Sequence, residues 1–354
     1  MAFYQRTVKR SGMRTSVPKV IGVFTLLLSF ELITIAGDFD RFERLKTGGL
    51  YPIKSHGRYG YIDKLGRIVV QPQFTRALPF SEGLGLVMDG KAVGYLNESG
   101  EMTIKPAYEG GGDFSEGLAS VRTGGKSGYV DRSGHLAIEP KFDDSGTFNN
   151  GLARVKINGQ YGFFNNRGTT VIQPQFTWVM GFSEGRAGVY QGRKAGFVDP
   201  AGKVVVPIIY DEVGDFSEGL ATIYHEQSCG YVDLKGMIVI PIRFSGCGEF
   251  SGGMAHAYAL EHKMGFINKK GTWVIQPHYY SGWYFSEGLA AASANGKFGF
   301  INRQGKTVIP FRFDDASPFH GALARVILQG KAGYVDKRGR MVWQGEDDNA
   351  VPRP

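Results

Sequence analysis

The chain has 354 residues, 52 of them glycine, with 13% aromatic residues and a formal charge of +8. Glycine at about twice its usual ~7% share points to disorder, collagen or many tight turns. The aromatic content argues against disorder and the lack of a strict Gly-X-Y period excludes collagen, leaving an all-β chain of short strands. Half of the net charge is local, because Arg6, Lys9, Arg10, Arg14 and Lys19 face Glu31 alone within residues 1–36. The remainder is a modestly basic surface, mildly attractive to acidic polymers but without the one-sided Lys/Arg clustering of a nucleic-acid binder, so no nucleic-acid partner is expected.

The basic N-terminus leads into an apolar run over residues 20–30, then Thr34-Ile35-Ala36 before Gly37. That order predicts a signal peptide over 1–36. The run is short for a membrane span, but continued past Glu31 to Ala36 it also reads as an uncleaved anchor, the one case in which membrane contact is expected. Either reading implies export to a periplasmic, envelope-associated or extracellular location. Residues 37–47 form a lead-in, 48–343 an array of repeats and 344–354 a C-terminal tail.

The array is set out by a recurring Gly, aromatic, apolar, Asp/Asn string: Gly60-Tyr61-Ile62-Asp63, Gly94-Tyr95-Leu96-Asn97, Gly128-Tyr129-Val130-Asp131, then at Gly162, Gly196, Gly230, Gly265, Gly299 and Gly333. The spacing is 34 residues each time, with a single 35. A second Gly follows six residues later (Gly66, Gly100, Gly134), and a Phe twenty later (Phe80, Phe114, Phe148, Phe182), often within Phe-Ser-Glu-Gly. A period of 34 is also that of a helical repeat, but several Gly and usually a Pro per unit oppose helix at ~1 and ~3 kcal/mol each.

The residues instead alternate with period two. Ala119 and Val121 face one way, Ser120 and Arg122 the other. Each unit reads as a three-stranded antiparallel meander, for example 117–121, 128–131 and 135–138, with an Asp-x-x-Gly turn before the third strand. About ten irregular residues then lead to the next unit. Nine units are expected, the first degenerate because Lys46 takes the Phe position. With no shared closing strand, they predict an open solenoid or superhelical stack, with a closed β-propeller as the alternative. The single extra residue falls within 254–264, at a turn where insertion is tolerated.

The run Gly-Leu-Ala-x-Val, Gly-Lys-x-Gly-Tyr-Val-Asp-x-x-Gly and Pro-x-Phe-Asp resembles the WG (KWG) repeat family of bacterial proteins over residues 48–343. The Trp expected before the recurring Gly is Tyr59, Tyr161 or Phe298 in three units and smaller in the others. The resemblance implies a β-rich, often exported repeat module and implies no reaction.

No residue set carries chemistry. The turn Asp alternates with Asn (Asp131, Asn165), an exchange that a turn accepts and a catalytic carboxylate does not. The seven His share no repeat position. His256 and His262 occupy one hairpin, but a metal site would need further ligands. No nucleophile elbow, phosphate loop or dinucleotide fingerprint occurs, so no catalytic residue, metal or cofactor is expected. Cys229 and Cys247 read equally as a disulfide or as two separate thiols. The residue after the inward Val of the first strand runs Arg122, Lys156, Tyr190, Tyr224, Tyr258 on successive units. If these five project outward they form a ladder suited to an envelope glycan or a protein partner; strand preference alone also accounts for the Tyr. A structural spacer or assembly scaffold is the competing reading.

Overall fold

The computed structural model describes residues 49–259 and 262–346; the signal or anchor, the lead-in and residues 347–354 of the tail lie outside the described residues. No helix among them is long and apolar enough to cross a membrane. They form nine antiparallel sheets, each drawn from one contiguous stretch of chain. Blade one has three strands, Leu50–Ser55, Arg58–Asp63 and Ile68–Phe74. The other eight have four, as in blade two, Arg76–Ser81, Leu84–Asp89, Ala92–Asn97 and Met102–Tyr108.

The connector expected to be irregular is therefore a strand, which makes four strands per blade in place of three. In five blades it is only two residues long and escapes a pattern reading, as in blade three, where it pairs only Gly110 with Arg122 and Gly111 with Val121; in blades two, five and nine it runs for six residues. The strand read as first in each unit is the second of every four-stranded blade and the first only in blade one. Connector strands pack on the inner strands of the preceding blade, as Arg76–Ser81 does on Leu50–Ser55 and Trp178–Ser183 on Leu152–Ile157, while the fourth strands of neighbouring blades make no comparable contact. The connector strands thus crowd toward the axis, and the fourth strands form the outer rim.

Local chemistry fixes the blade. At the turn into the fourth strand, Asp131 Oδ1 accepts from the Ser133 and His135 amides at 2.9 and 3.0 Å. Asn165 Oδ1 does the same for Arg167 and Thr169 at 3.0 Å each. The accepting atom is common to Asp and Asn, which explains their exchange. The recurring Gly before the aromatic is needed for close approach: a Cβ on Gly128 would stand 2.5 Å from the Ile138 carbonyl oxygen of the bulged fourth strand. The extra residue of blade seven falls in the turn between Met254–Tyr258 and Met264–Asn268.

Blades join through rings. The aromatic after the recurring Gly, in the third strand of each four-stranded blade and the second of blade one, meets the Phe of the next edge-on or tilted: Tyr61 with Phe80, Tyr95 with Phe114, and so on to Phe300 with Phe319, at centroid separations of 4.7 to 5.0 Å. Each such pair contributes ~0.5–1.5 kcal/mol beyond the area it buries. Blade nine ends the series with Tyr334, whose ring lies 5.4 Å from that of Tyr51 in blade one. Tyr334 also donates to the Pro52 carbonyl at 3.0 Å, and Tyr51 donates to the carbonyl oxygens of His320 and Gly321. Tyr51, Ile53, Ile62, Leu323, Ala332 and Tyr334 form one buried cluster.

The array is thus a closed nine-bladed β-propeller, and the open solenoid or superhelix is overturned. An open stack would leave an apolar face at each end; here the two end faces cover each other.

Candidate binding surface

The Phe-Ser-Glu-Gly motif turns out to be a clasp between blades. Ser81 Oγ donates to the Phe114 carbonyl at 2.6 Å, and Ser183 Oγ to that of Phe216 at the same distance. Glu82 accepts from the Glu116 and Gly117 amides of the next blade at 2.8 and 3.0 Å, and Glu184 from those of Glu218 and Gly219 at 2.8 Å. To reach them the Glu takes a left-handed backbone, with φ of 51° at Glu82 and 50° at Glu184. That conformation costs ~1–2 kcal/mol for an L-residue, and two charge-assisted hydrogen bonds offset it.

Arg122, Lys156, Tyr190, Tyr224 and Tyr258 occupy equivalent register positions in blades three to seven, each opposite a residue of its blade's first strand: Gly110, Asp144, Trp178, Glu212 and Gly246. The expected outward ladder is nevertheless corrected. The three Tyr are half-buried at the seams between blades, packed on apolar clusters. Tyr224 donates to the Cys247 carbonyl of the next blade at 2.8 Å. Burial and the Glu212 carboxylate push the Tyr190 hydroxyl up to about 12, and burial also raises Tyr224 and Tyr258. Lys156 lies over the Tyr161 ring at 5.2 Å. Only Arg122 is exposed, and its guanidinium is held by the Gly125 and Asp143 carbonyls. In a propeller both faces of a sheet are covered by neighbouring blades, so a strand position that alternates away from one core points into the next.

Cys229 and Cys247, left open by the sequence, are disulfide-bonded with a Cα–Cα distance of 6.1 Å. Cys229 sits in the third strand of blade six and Cys247 in the first strand of blade seven. The bridge therefore crosses a seam. His256 stacks over Gly248, which has no room for a Cβ. Burial holds the imidazole down to about 4, and its Nδ1 has no hydrogen-bond partner among the described residues. His262 lies apart in the exposed turn. Among the described residues no group of three metal-ligating side chains converges.

What remains free to vary are the turns. The two middle residues of each Asp-x-x-Gly turn, and the residue after its Gly, are exposed in most blades, as at Lys64, Leu65 and Arg67 or Arg338 and Arg340. The sequence signal that marks these residues is charge, since Lys or Arg recurs at the turn positions of most blades.

The profile for the WG containing repeat matches eight successive segments: residues 59–91, 94–126, 128–161, 161–194, 196–226, 230–256, 264–298 and 298–331. The chain belongs to the WG-containing repeat family. These segments start at or near the recurring Gly, so each family repeat runs from the third strand of one blade into the second strand of the next, and the repeat boundary is not the blade boundary. No curated protein sequence matches the chain.

Among solved structures, the crystal structure of the eukaryotic initiation factor is similar at a TM-score of 0.61 and 12% identity, covering 86% of this chain and 97% of that one. The computationally designed Ika8 protein has a TM-score of 0.48 at 10% identity, covering 83% and 98%. BamB from Moraxella catarrhalis has 0.41 at 11%, covering 81% and 93%. At these identities the first likeness concerns the fold alone.

Proposed function

We propose that this WG-repeat propeller is an exported, non-catalytic interaction module that binds an envelope glycan or a protein partner. One observation carries the reading. The recurrent side chains are consumed by the frame, the Phe-Ser-Glu-Gly clasp in holding blades together and the turn Asp and Asn in closing the turn within each blade, whereas the turn residues between them change from blade to blade. A rigid frame that presents variable loops is the usual arrangement for recognition. The disulfide across blades six and seven favours an oxidising compartment, in keeping with the N-terminal sequence. The test is retention of glycans and envelope proteins by the immobilised full-length protein; specific retention above that of an unrelated exported protein is expected.

A scaffold without a specific small ligand is the second reading. It is favoured by the outer rim, where Met237, Ile238 and Val239 of blade six are 65%, 51% and 44% exposed beside a fourth strand whose outer edge pairs with no other strand among the described residues. Such edges can add further strands. Absence of any retained ligand, together with concentration-dependent self-association, would favour it.

A further inference from the structure

In an antiparallel meander the turn after the first strand and the turn after the third lie at the same end. The eight four-stranded blades share one connectivity and blade one lacks only the first strand, so these turns, including the equivalent one at 63–67 in blade one, gather on one face of the ring. Contacts across seams show it directly: Lys337 of blade nine pairs with Glu287 of blade eight at 2.8 Å, and Lys269 of blade seven with Glu218 of blade six at 3.3 Å. Each third-strand turn also abuts the fourth strand of the blade before it. A Cβ on Gly339 would meet Ile309 at 2.8 Å, one on Gly305 would meet Ile275 at 3.2 Å, and one on Gly66 would strike the Val342 carbonyl across the ring closure.

Charge is unevenly spread along this circle of turns. Blade two contributes Glu98 and Glu101. Blades three to six contribute one exposed cation each, Arg132, Arg167, Lys203 and Lys235, whereas blades seven, eight, nine and one contribute two or three each, among them Lys270, Lys306, Arg338, Arg340, Lys64 and Arg67. Arg67 and Arg340 are paired with the turn carboxylates Asp63 and Asp336. Lys64, Lys270, Lys306 and Arg338 pair with no carboxylate among the described residues. Residues 64–67 are remote in sequence from 270–340, and ring closure alone sets them side by side.

We propose that these six residues form a continuous cationic arc that binds a linear glycan bearing carboxylate or phosphodiester charges. The inference rests on the glycan-binding reading above and gives it a place and a charge. Cations repeated once or twice per blade suit a polymer that follows the rim through many weak contacts. The turn tips themselves are polar, Lys269-Lys270, Arg303-Gln304 and Lys337-Arg338, with Leu65 the single apolar one. They offer little to insert into lipid and no aromatic on which a nucleic-acid base would stack.

The experiment compares full-length wild type with the triple variant K270E/K306E/R338E and with K91E/R193E/K331E, an equal charge change on the turns of the opposite face. The probes are sodium polygalacturonate, neutral dextran of similar length, a single-stranded DNA oligonucleotide and phosphatidylglycerol vesicles. Wild type and the opposite-face variant should bind polygalacturonate with affinity that falls as salt rises. The arc variant should bind about tenfold or more weakly, with a shallower salt slope and unchanged thermal unfolding. Equal affinity of the arc variant, or equal loss in both variants, overturns the arc. Arc-dependent binding that is tighter to DNA or vesicles overturns the glycan assignment. Retention of a neutral glycan or a protein partner without polygalacturonate overturns the arc and leaves the interaction module standing, whereas no retention of any kind removes both.

Discussion

Tyr334, the last third-strand aromatic, stands edge-on to Tyr51 with ring centroids 5.4 Å apart, although 282 residues separate its hydroxyl from the Pro52 carbonyl that it engages. Tyr51 fills the role that a Phe serves at every other seam. Truncation of this contact should be felt by the whole ring. Tyr334→Ala is expected to cost about 3–5 kcal/mol, and Tyr334→Phe, which keeps the ring, about 1 kcal/mol. Urea unfolding of the two variants checks this, and a loss confined to blades one and nine would show the ring to be only loosely closed.

The clasp makes a sharper comparison. Glu184→Ala keeps the left-handed backbone and loses both amide contacts to Glu218 and Gly219. It should destabilise by about 1 kcal/mol or more. Glu184→Gly loses the same contacts but relieves the backbone strain, so its loss should be smaller. Denaturant midpoints in the order wild type, Gly, Ala are expected; Ala above Gly would mean that the left-handed strain at this position matters little, and either variant level with wild type that the clasp does.

Tyr190, Tyr224 and Tyr258 are seam residues, and the triple change to Ser should destabilise the fold instead of sparing it. Tyr224→Phe alone removes the hydroxyl that donates to Cys247 and should cost about 1 kcal/mol. Calorimetric melting of both variants decides the matter. A triple Ser variant that melts with wild type would return these rings to the surface.

The Cys229–Cys247 bridge closes a separation of 18 residues, which in the chain-entropy picture stabilises by about 3 kcal/mol. Melting with and without a phosphine reductant should show a clear drop on reduction, and Cys229→Ser/Cys247→Ser should melt like the reduced protein in both conditions.

His256 provides the pH dependence. Burial holds its pKa at about 4 in the fold, against ~6.5 when unfolded. A depressed histidine pKa means that the unfolded chain binds the proton more readily, so the contribution is complete above about pH 6.5 and is lost as pH falls toward 4. His256→Gln should flatten the stability profile between those values. An unchanged slope in that window would assign the acid sensitivity to other groups.

The sequence showed the repeat, the second to fourth strands and every Asp-x-x-Gly turn, because turn chemistry is local and each signal falls within a few residues. It hid the first strand, whose pairing in blade three rests on Gly110 and Gly111, residues without side chains to alternate. Closure was hidden as well. Lys46 at the expected Phe position suggested a frayed start, and nothing local announces that Tyr51 takes over the contact from a strand. The equivalence of the five ladder residues is legible from their spacing, but their surroundings are not, since the second covered face of a blade exists only once the ring is closed. The basic turns are visible one at a time; that the turn at Gly66 lies against Val342 of blade nine is not.

Each blade is cut from an uninterrupted stretch of chain, and among the described residues no strand is lent across the union of blades nine and one. The circle therefore has no privileged starting point. A circular permutant opened at the exposed turn around Arg193 would rebuild the same neighbours at every seam, given a linker between the original ends. Unequal crossover between two 34-residue units would add or delete a blade and leave each clasp with a like partner. Such a gene can change the circumference of its product, and with it the number of turns on display, without inventing a single new contact.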